Sequence, residues 1–128
     1  MEPWELHAWH ADFLDACNTH DLERIREHLA PGVRRAHLPG GAEAWIADLA
    51  ELFHAFPDWR WKRIQVVAED DRIAVHLRGS GTHVREFRGI APTRRRVNVA
   101  EFAMHRVEAG RIAETSGTEP HELLAQLR

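Results

Sequence analysis

The first half of the chain carries apolar residues at the spacing of helix faces. This pattern predicts helices over residues 3–17, 22–29 and 42–56. Asp21 or Thr19 supplies the N-cap of the second helix, and proline-containing pairs end the second and third helices. The apolar positions that define these faces are Leu6, Trp9 or His10, Phe13, Cys17, Leu22, Ile25, Leu29, Trp45, Leu49, Leu52, Phe53 and Phe56.

The second half alternates between apolar and polar residues, a period of two that is typical of strands. Gly79 and Gly81 predict a bulge or a sharp bend within this region, and Glu119 or Thr118 opens a last helical turn. A short strand is also predicted between the second and third helices. The predicted strands cover residues 33–38, 59–68, 72–78 with a continuation around 82–87, 97–107 and 111–116.

The order of these elements predicts an α+β fold in which helices pack on one face of a curved antiparallel sheet. A cone-shaped sheet of this kind leaves a cavity between its concave face and the helices, where ligand pockets commonly lie. The length of 128 residues predicts a single domain over residues 1–128.

Composition and charge narrow the class of protein. The formal net charge of −3 argues against a nucleic-acid-binding protein, which is usually basic. No apolar run approaches the roughly 20 residues that span a membrane, and the first residues lack the basic region of a signal peptide. The single cysteine, Cys17, fits a reducing compartment, so a cytoplasmic protein is expected. The ten histidines are unusual, and histidine is the side chain that exchanges protons near neutral pH.

Three stretches follow one another in a distinctive order: FPDWRW, GTHVREFRGIAPTRRRVNVAEF and HRVEAGRIAET. Each motif alone is weak, but the ordered set spans most of the chain and resembles the SnoaL-like polyketide cyclases of the NTF2-like fold. The matching residues are Phe56-Pro57-Asp58, Thr82-His83, Gly89-Ile90-Ala91-Pro92-Thr93, Arg106, Gly110 and Ile112.

The resemblance implies a cone-shaped barrel whose N-terminal helices enclose a deep apolar pocket, and a homodimer formed through the sheet. It also implies a polyketide cyclase in natural-product biosynthesis, which closes a ring by an intramolecular aldol reaction without cofactor or metal. The ligand would be a small hydrophobic aromatic or polyketide molecule. Two positions depart from the family. The proton-handling Asp that follows a Trp in the last strand falls on Gly117 after Ser116, and Arg85 replaces a Gly.

Strand alternation places Glu101, Ala103 and His105 on one face. In the related ketosteroid isomerases, an acid at the position of Ala103 donates a hydrogen bond to the substrate oxygen, so this face is expected to be concave. The same comparison places His37 near the isomerase's catalytic carboxylate, and His83 lies inside the family motif. The candidate catalytic residues are therefore His83, His37, His105 and Glu101, with a neutral histidine as general base.

Other residues are expected to bind the substrate. Trp9, Trp45 and Trp59 offer flat surfaces suited to aromatic rings, and Phe13 takes the place of the isomerase's helix-one Tyr. Arg35 shares a strand face with His37. Cys17 is added to this group as a small buried apolar residue and not as a nucleophile.

Alternative interpretations stay open at this point. A lone histidine on a strand is more often a structural residue than a catalytic one. His37, His83 and His105 could converge on a metal, although their spacing gives no metal motif. The arginines at 94–96 form a solvated hairpin tip or contact an acyl-carrier domain or an anionic substrate group. The protein as a whole could instead be a non-catalytic ligand-binding or accessory member of the family, or a hydroxylase-type member.

Overall fold

The computed structural model describes residues 1–128, and it arranges four helices and five strands in an α+β fold. The predicted class and the curved sheet are confirmed. The elements are α1 Pro3–Asn18, α2 Leu22–Glu27, β1 Leu29–Arg35, α3 Ala42–Ala55, β2 Arg60–Glu69, β3 Arg72–Thr82, β4 Arg96–Glu108, β5 Arg111–Gly117 and α4 His121–Gln126.

The five strands form one sheet in the order β1-β5-β4-β3-β2. Strands β2 to β5 form the predicted antiparallel meander, and β1 pairs with β5 in parallel. The predicted bounds of the first strand, 33–38, were wrong. Strand β1 begins at Leu29, because this buried residue pairs with Ile112 of β5, and it ends at Arg35 before a turn.

Gly79 and Gly81 have a different role from the predicted bulge. Strand β3 pairs with β4 in continuous register from Arg72 to Thr82, so the chain does not bend out of the sheet there. A Cβ atom would lie 2.5 Å from the Trp59 ring at Gly79 and 2.9 Å from it at Gly81. The two glycines therefore make room for a buried tryptophan that lies flat against the strand.

The helices cover the face of the sheet that we call the inner face. Asn18, the last residue of α1, pins the helix to the start of β2: its side chain accepts a bond from the Trp61 N–H at 2.8 Å and donates to the Trp61 carbonyl at 2.9 Å. Asp21 caps α2, as predicted, by accepting a bond from the Arg24 N–H at 3.1 Å. No helix of the chain combines the length and the apolarity needed to cross a membrane.

The opposite side of the sheet, the outer face, keeps apolar side chains in contact with solvent. Phe102 is 55 % exposed and Met104 is 45 % exposed, because alternation on β4 directs them away from the helices. Val67 and the bulged Ile64 of β2 are exposed as well. We call Ile64, Val67, Phe102 and Met104 the outer apolar patch.

Candidate functional site

His105 of β4 lies on the inner face, where it is buried. Its cross-strand partner on β5 is Thr115, and the register directs both side chains to the same side. His105 Nδ1 lies 2.8 Å from Thr115 Oγ1, which fixes the orientation of the imidazole ring. The sequence prediction that His105 faces the concave side is thus met by the position of the side chain.

Aromatic rings from two helices surround His105. The ring centroid of Phe13 on α1 lies 6.0 Å from that of His105, and the ring of Trp45 on α3 lies 6.3 Å away. Trp9 stacks on Phe13 with centroids 5.5 Å apart. Trp9 and Trp45 are only partly buried, so they form the accessible border of this cluster. The predicted substrate-binding residues Phe13, Trp9 and Trp45 therefore do come together around a histidine.

A second histidine, His10 of α1, belongs to the same cluster. Its ring stacks on that of His105 with centroids 6.3 Å apart, and it is buried to 1 % exposure. Arg63 Nη1 donates to His10 Nδ1 at 3.4 Å, which leaves the proton of the neutral ring on Nε2. Sequence reasoning missed His10 as a site residue. Its spacing from Phe13 and Cys17, three and seven positions on one helix face, was the signal that could have found it.

Burial controls the protonation of both histidines. Desolvation lowers the pKa of His105 to about 4. The pKa of His10 falls to about 3, first through burial and then through the neighbouring His105, Arg63 and His7. Both rings are therefore neutral at pH 7.

Glu101 also lies on the inner face of β4, four residues before His105, and it is tied to tryptophan. Trp61 Nε1 donates a hydrogen bond to Glu101 Oε2. Burial raises the pKa of this carboxyl, and the bond from Trp61 opposes that rise in part. Glu101 thus does not pair with a histidine, and the cluster around His105 does not depend on its charge.

His83, the candidate inside the family motif, is fully buried in a separate part of the interior. Its ring stacks on Phe56 with centroids 5.2 Å apart, and the Thr93 N–H donates to His83 Nδ1 at 3.1 Å. Its backbone pairs with Arg94 and Arg95. His83 therefore closes the segment that links β3 to β4, and none of these partners belongs to the cluster around His105.

The remaining predicted positions fall in different surroundings. His37 lies in the turn after β1, where it is exposed and has a φ of 64°, so it does not share the inner face of that strand. Trp59 packs against Phe56 in the region of His83, with ring centroids 5.3 Å apart. Burial raises the pKa of the Cys17 thiol to about 12, which keeps it protonated. No three side chains of the types His, Cys, Asp and Glu are placed to hold a metal ion.

The three arginines that follow the Thr93 turn have different surroundings. Arg95 Nη1 donates to the backbone carbonyls of Gln126 at 3.2 Å and Arg128 at 2.8 Å, which ties it to the end of α4. Arg96 contacts Asp58 at 3.5 Å, and Arg94 is exposed. Two of the three are thus partnered within the chain, although Arg96 keeps most of its side-chain surface in solvent, as does the exposed Arg94.

The sequence model of the SnoaL-like polyketide cyclases matches residues 8–127. The chain belongs to this family. No curated protein sequence matches it significantly.

Solved structures agree with this family. IdmH from Streptomyces antibioticus, a proposed polyketide cyclase, is 30% identical with a TM-score of 0.79, covering 94% of this chain and 96% of its own. AclR from Streptomyces galilaeus, a proposed hydroxylase, is 26% identical with a TM-score of 0.88, covering 98% and 97%. A SnoaL-like protein from Jannaschia Sp. CCS1, 22% identical with a TM-score of 0.85 over 98% and 92%, shows the fold alone. The NTF2-like fold predicted from the motifs is confirmed.

Gly117, at the position counted for the acid of SnoaL-like cyclases, has no room for a side chain. A Cβ atom there would lie 2.4 Å from the Phe102 carbonyl oxygen and 3.2 Å from Ala103 Cα. We expect Gly117→Asp to destabilise the protein by about 1–3 kcal/mol, because the pairing of β4 and β5 has to shift. Thermal unfolding measures this. Ser116→Asn, at the exposed neighbouring position, is the control, because it adds a side chain of similar size without a charge and should change stability little. Equal stability of the two variants would contradict the close approach.

Proposed function

We propose that the protein is a cofactor-independent enzyme of natural-product biosynthesis that moves a proton on a cyclic or poly-ketone substrate, with His105 as the base. The observation that carries this proposal is a buried, neutral histidine held by Thr115 among aromatic rings. Phe13, Trp9 and Trp45 supply flat apolar surface for a small aromatic or polyketide ligand.

The chemistry follows from the geometry of His105. When Nδ1–H donates to Thr115 Oγ1, Nε2 carries the free electron pair and accepts a proton from the carbon beside a ketone. The enolate carbon then forms a bond to a second carbonyl carbon, and the new alkoxide takes the proton back from the imidazolium. The imidazolium lies beside an anion during this step, which favours its charged form. His105 would in this way perform the role that the acid holds in other members.

Two alternatives remain within the family. The separate packing of His83 and Trp59 with Phe56 supports a ligand-binding or accessory protein without turnover, because much of the interior is filled by rings. The likeness to AclR supports a hydroxylase-type member. Incorporation of labelled dioxygen into a product would favour the hydroxylase.

The test requires no knowledge of the natural substrate. α-Tetralone is a bicyclic aryl ketone with two acidic hydrogens beside its carbonyl, and NMR follows their replacement by deuterium in deuterium oxide. Wild-type protein should accelerate this exchange above the buffer rate. Binding of the ketone without any acceleration would instead support the ligand-binding alternative.

The second part of the proposal is a homodimer formed through the outer apolar patch. Val67, Phe102 and Met104 of this patch line a depression of about 420 Å³, and Phe102 stacks there on His76 with ring centroids 4.4 Å apart. The depression is on the side of the sheet opposite His105. Exposed apolar surface of this kind is typical of an interface.

We expect the change Phe102→Glu to convert a dimer into a monomer, since it would introduce a charge at the centre of the interface. Sedimentation equilibrium measures the mass. Leu38→Glu is the matched control, because Leu38 is 49 % exposed but lies in the turn after β1. A wild-type protein that is monomeric at all concentrations would overturn the interface.

A further inference from the structure

Arg35, the last residue of β1, has a buried donor that no group in the protein accepts. Its side chain is 7% exposed. Nη1 donates to Asp48 Oδ2 at 2.7 Å, and Nη2 donates to the Pro39 carbonyl at 3.0 Å. The third type of donor, Nε–H, is buried without a hydrogen-bond partner. A buried donor left unpaired costs free energy, so a ligand that supplies an acceptor is favoured at this point.

The strand register brings Arg35 into the same row as His105. Arg35 pairs with Thr115 of β5, and Thr115 pairs with His105 of β4. The row therefore reads Arg35, Thr115, His105 across three adjacent strands, with about 10 Å between the outer two backbones. Asp48, the ion-pair partner of Arg35, follows Trp45 by three residues on α3, so the ion pair borders the aromatic cluster.

The charges of the Arg35–Asp48 ion pair determine which kind of ligand oxygen binds to the free N–H. The guanidinium of Arg35 is a cation, as arginine is in proteins, and Asp48 already balances its charge. A neutral ketone oxygen brings no charge to this ion pair when it binds, and it needs only the unpaired N–H donor. That oxygen becomes negative when the adjacent carbon loses its proton, and a charged N–H donor stabilises it more strongly at that stage.

We propose that Arg35 Nε–H donates a hydrogen bond to the ketone oxygen of the substrate whose neighbouring carbon gives its proton to His105. This proposal rests on the proposed function and specifies it further. It assigns the substrate class as a neutral ketone that forms an enolate, and it gives Arg35 the role of holding the developing oxyanion.

The experiment compares two ligands of the same shape. α-Tetralone has the carbonyl oxygen, and tetralin lacks it. NMR of protein labelled with heavy nitrogen in arginine and histidine follows the Arg35 Nε–H and the His105 ring separately. We expect the His105 signals to move with both ligands and the Arg35 Nε–H signal to move only with α-tetralone.

The variant Arg35→Lys keeps the charge beside Asp48 but removes the Nε–H. It should weaken binding of α-tetralone about tenfold or more and leave binding of tetralin unchanged, since a hydrogen bond to a charged donor is lost. The wild-type NMR comparison remains decisive if this variant folds poorly. Arg35 signals that respond equally to both ligands, or to neither while His105 responds, would overturn the role of Arg35 alone. The absence of any His105 response would contradict the proposed function as well.

Discussion

The variant His105→Gln should exchange the hydrogens of α-tetralone at least about a hundredfold more slowly than wild type. The magnitude is that of a general base removed from its substrate. Glutamine retains a polar group of similar reach toward Thr115 Oγ1, 2.8 Å from Nδ1 in the wild type, but it cannot accept a proton at neutral pH. The loss should therefore appear in the rate of proton transfer and not in the affinity for the ketone.

His83→Gln is the matched control, because it changes a buried histidine that contacts Phe56 and Thr93 instead of the aromatic cluster. We expect this variant to lower the thermal stability and to retain the exchange rate per folded molecule. The assignment of the base to His105 fails if His83→Gln abolishes exchange while His105→Gln retains it. In that case the family motif would carry the chemistry after all.

The position of His105 could be predicted from the sequence because strand alternation groups it with Glu101 and Ala103, and the resemblance to the ketosteroid isomerases identified that face as the concave one. Once β4 is recognised, a period of two places Glu101 and His105 on one side whatever the rest of the chain does. The helix faces followed in the same way, and Phe13 and Trp45 reached the site because both are apolar positions of regular helices. Periodicity thus predicts which residues share a face of an element.

The sequence predictions fail where contacts between distant parts of the chain determine the structure. Residue preferences along the chain predict that the second helix ends at Pro31-Gly32 and that a strand follows. Pairing of Leu29 with β5 instead starts the strand four residues earlier, so the strand ends before His37, which lies in a turn. The sequence motif singles out His83 but does not show that the Thr93 N–H binds its ring. Similarly, only the folded structure brings Arg63 of β2 to His10 of α1, 53 residues away.

Acidification should destabilise the protein by protonating its two buried histidines, His10 and His105. The ordinary pKa of a histidine is 6.5, which applies to the unfolded chain. In the folded protein the pKa is about 3 for His10 and about 4 for His105. Below pH 6.5 these two histidines therefore bind protons in the unfolded chain but not yet in the folded chain. The stabilising contribution is complete above this pH, falls as the pH drops towards 4, and for His10 continues to fall towards 3. Each histidine contributes up to about 1.4 kcal/mol per pH unit, which over this window is several kcal/mol of a total near 5–15.

Urea unfolding between pH 4.5 and 7 measures this slope. The contributions of Glu114 and Glu101 to this slope can be distinguished from those of the two histidines. Glu114, whose pKa Arg106 lowers through a hydrogen bond, loses its contribution below this window. Glu101, whose pKa burial raises, acts in the opposite direction because its folded form takes up a proton first, so the variant Glu101→Gln should steepen the slope. His10→Gln should flatten it by about one proton, whatever its effect on stability at pH 7. If the His10→Gln slope equals the wild-type slope, then His10 is protonated in the folded protein, and burial does not hold it in the neutral form.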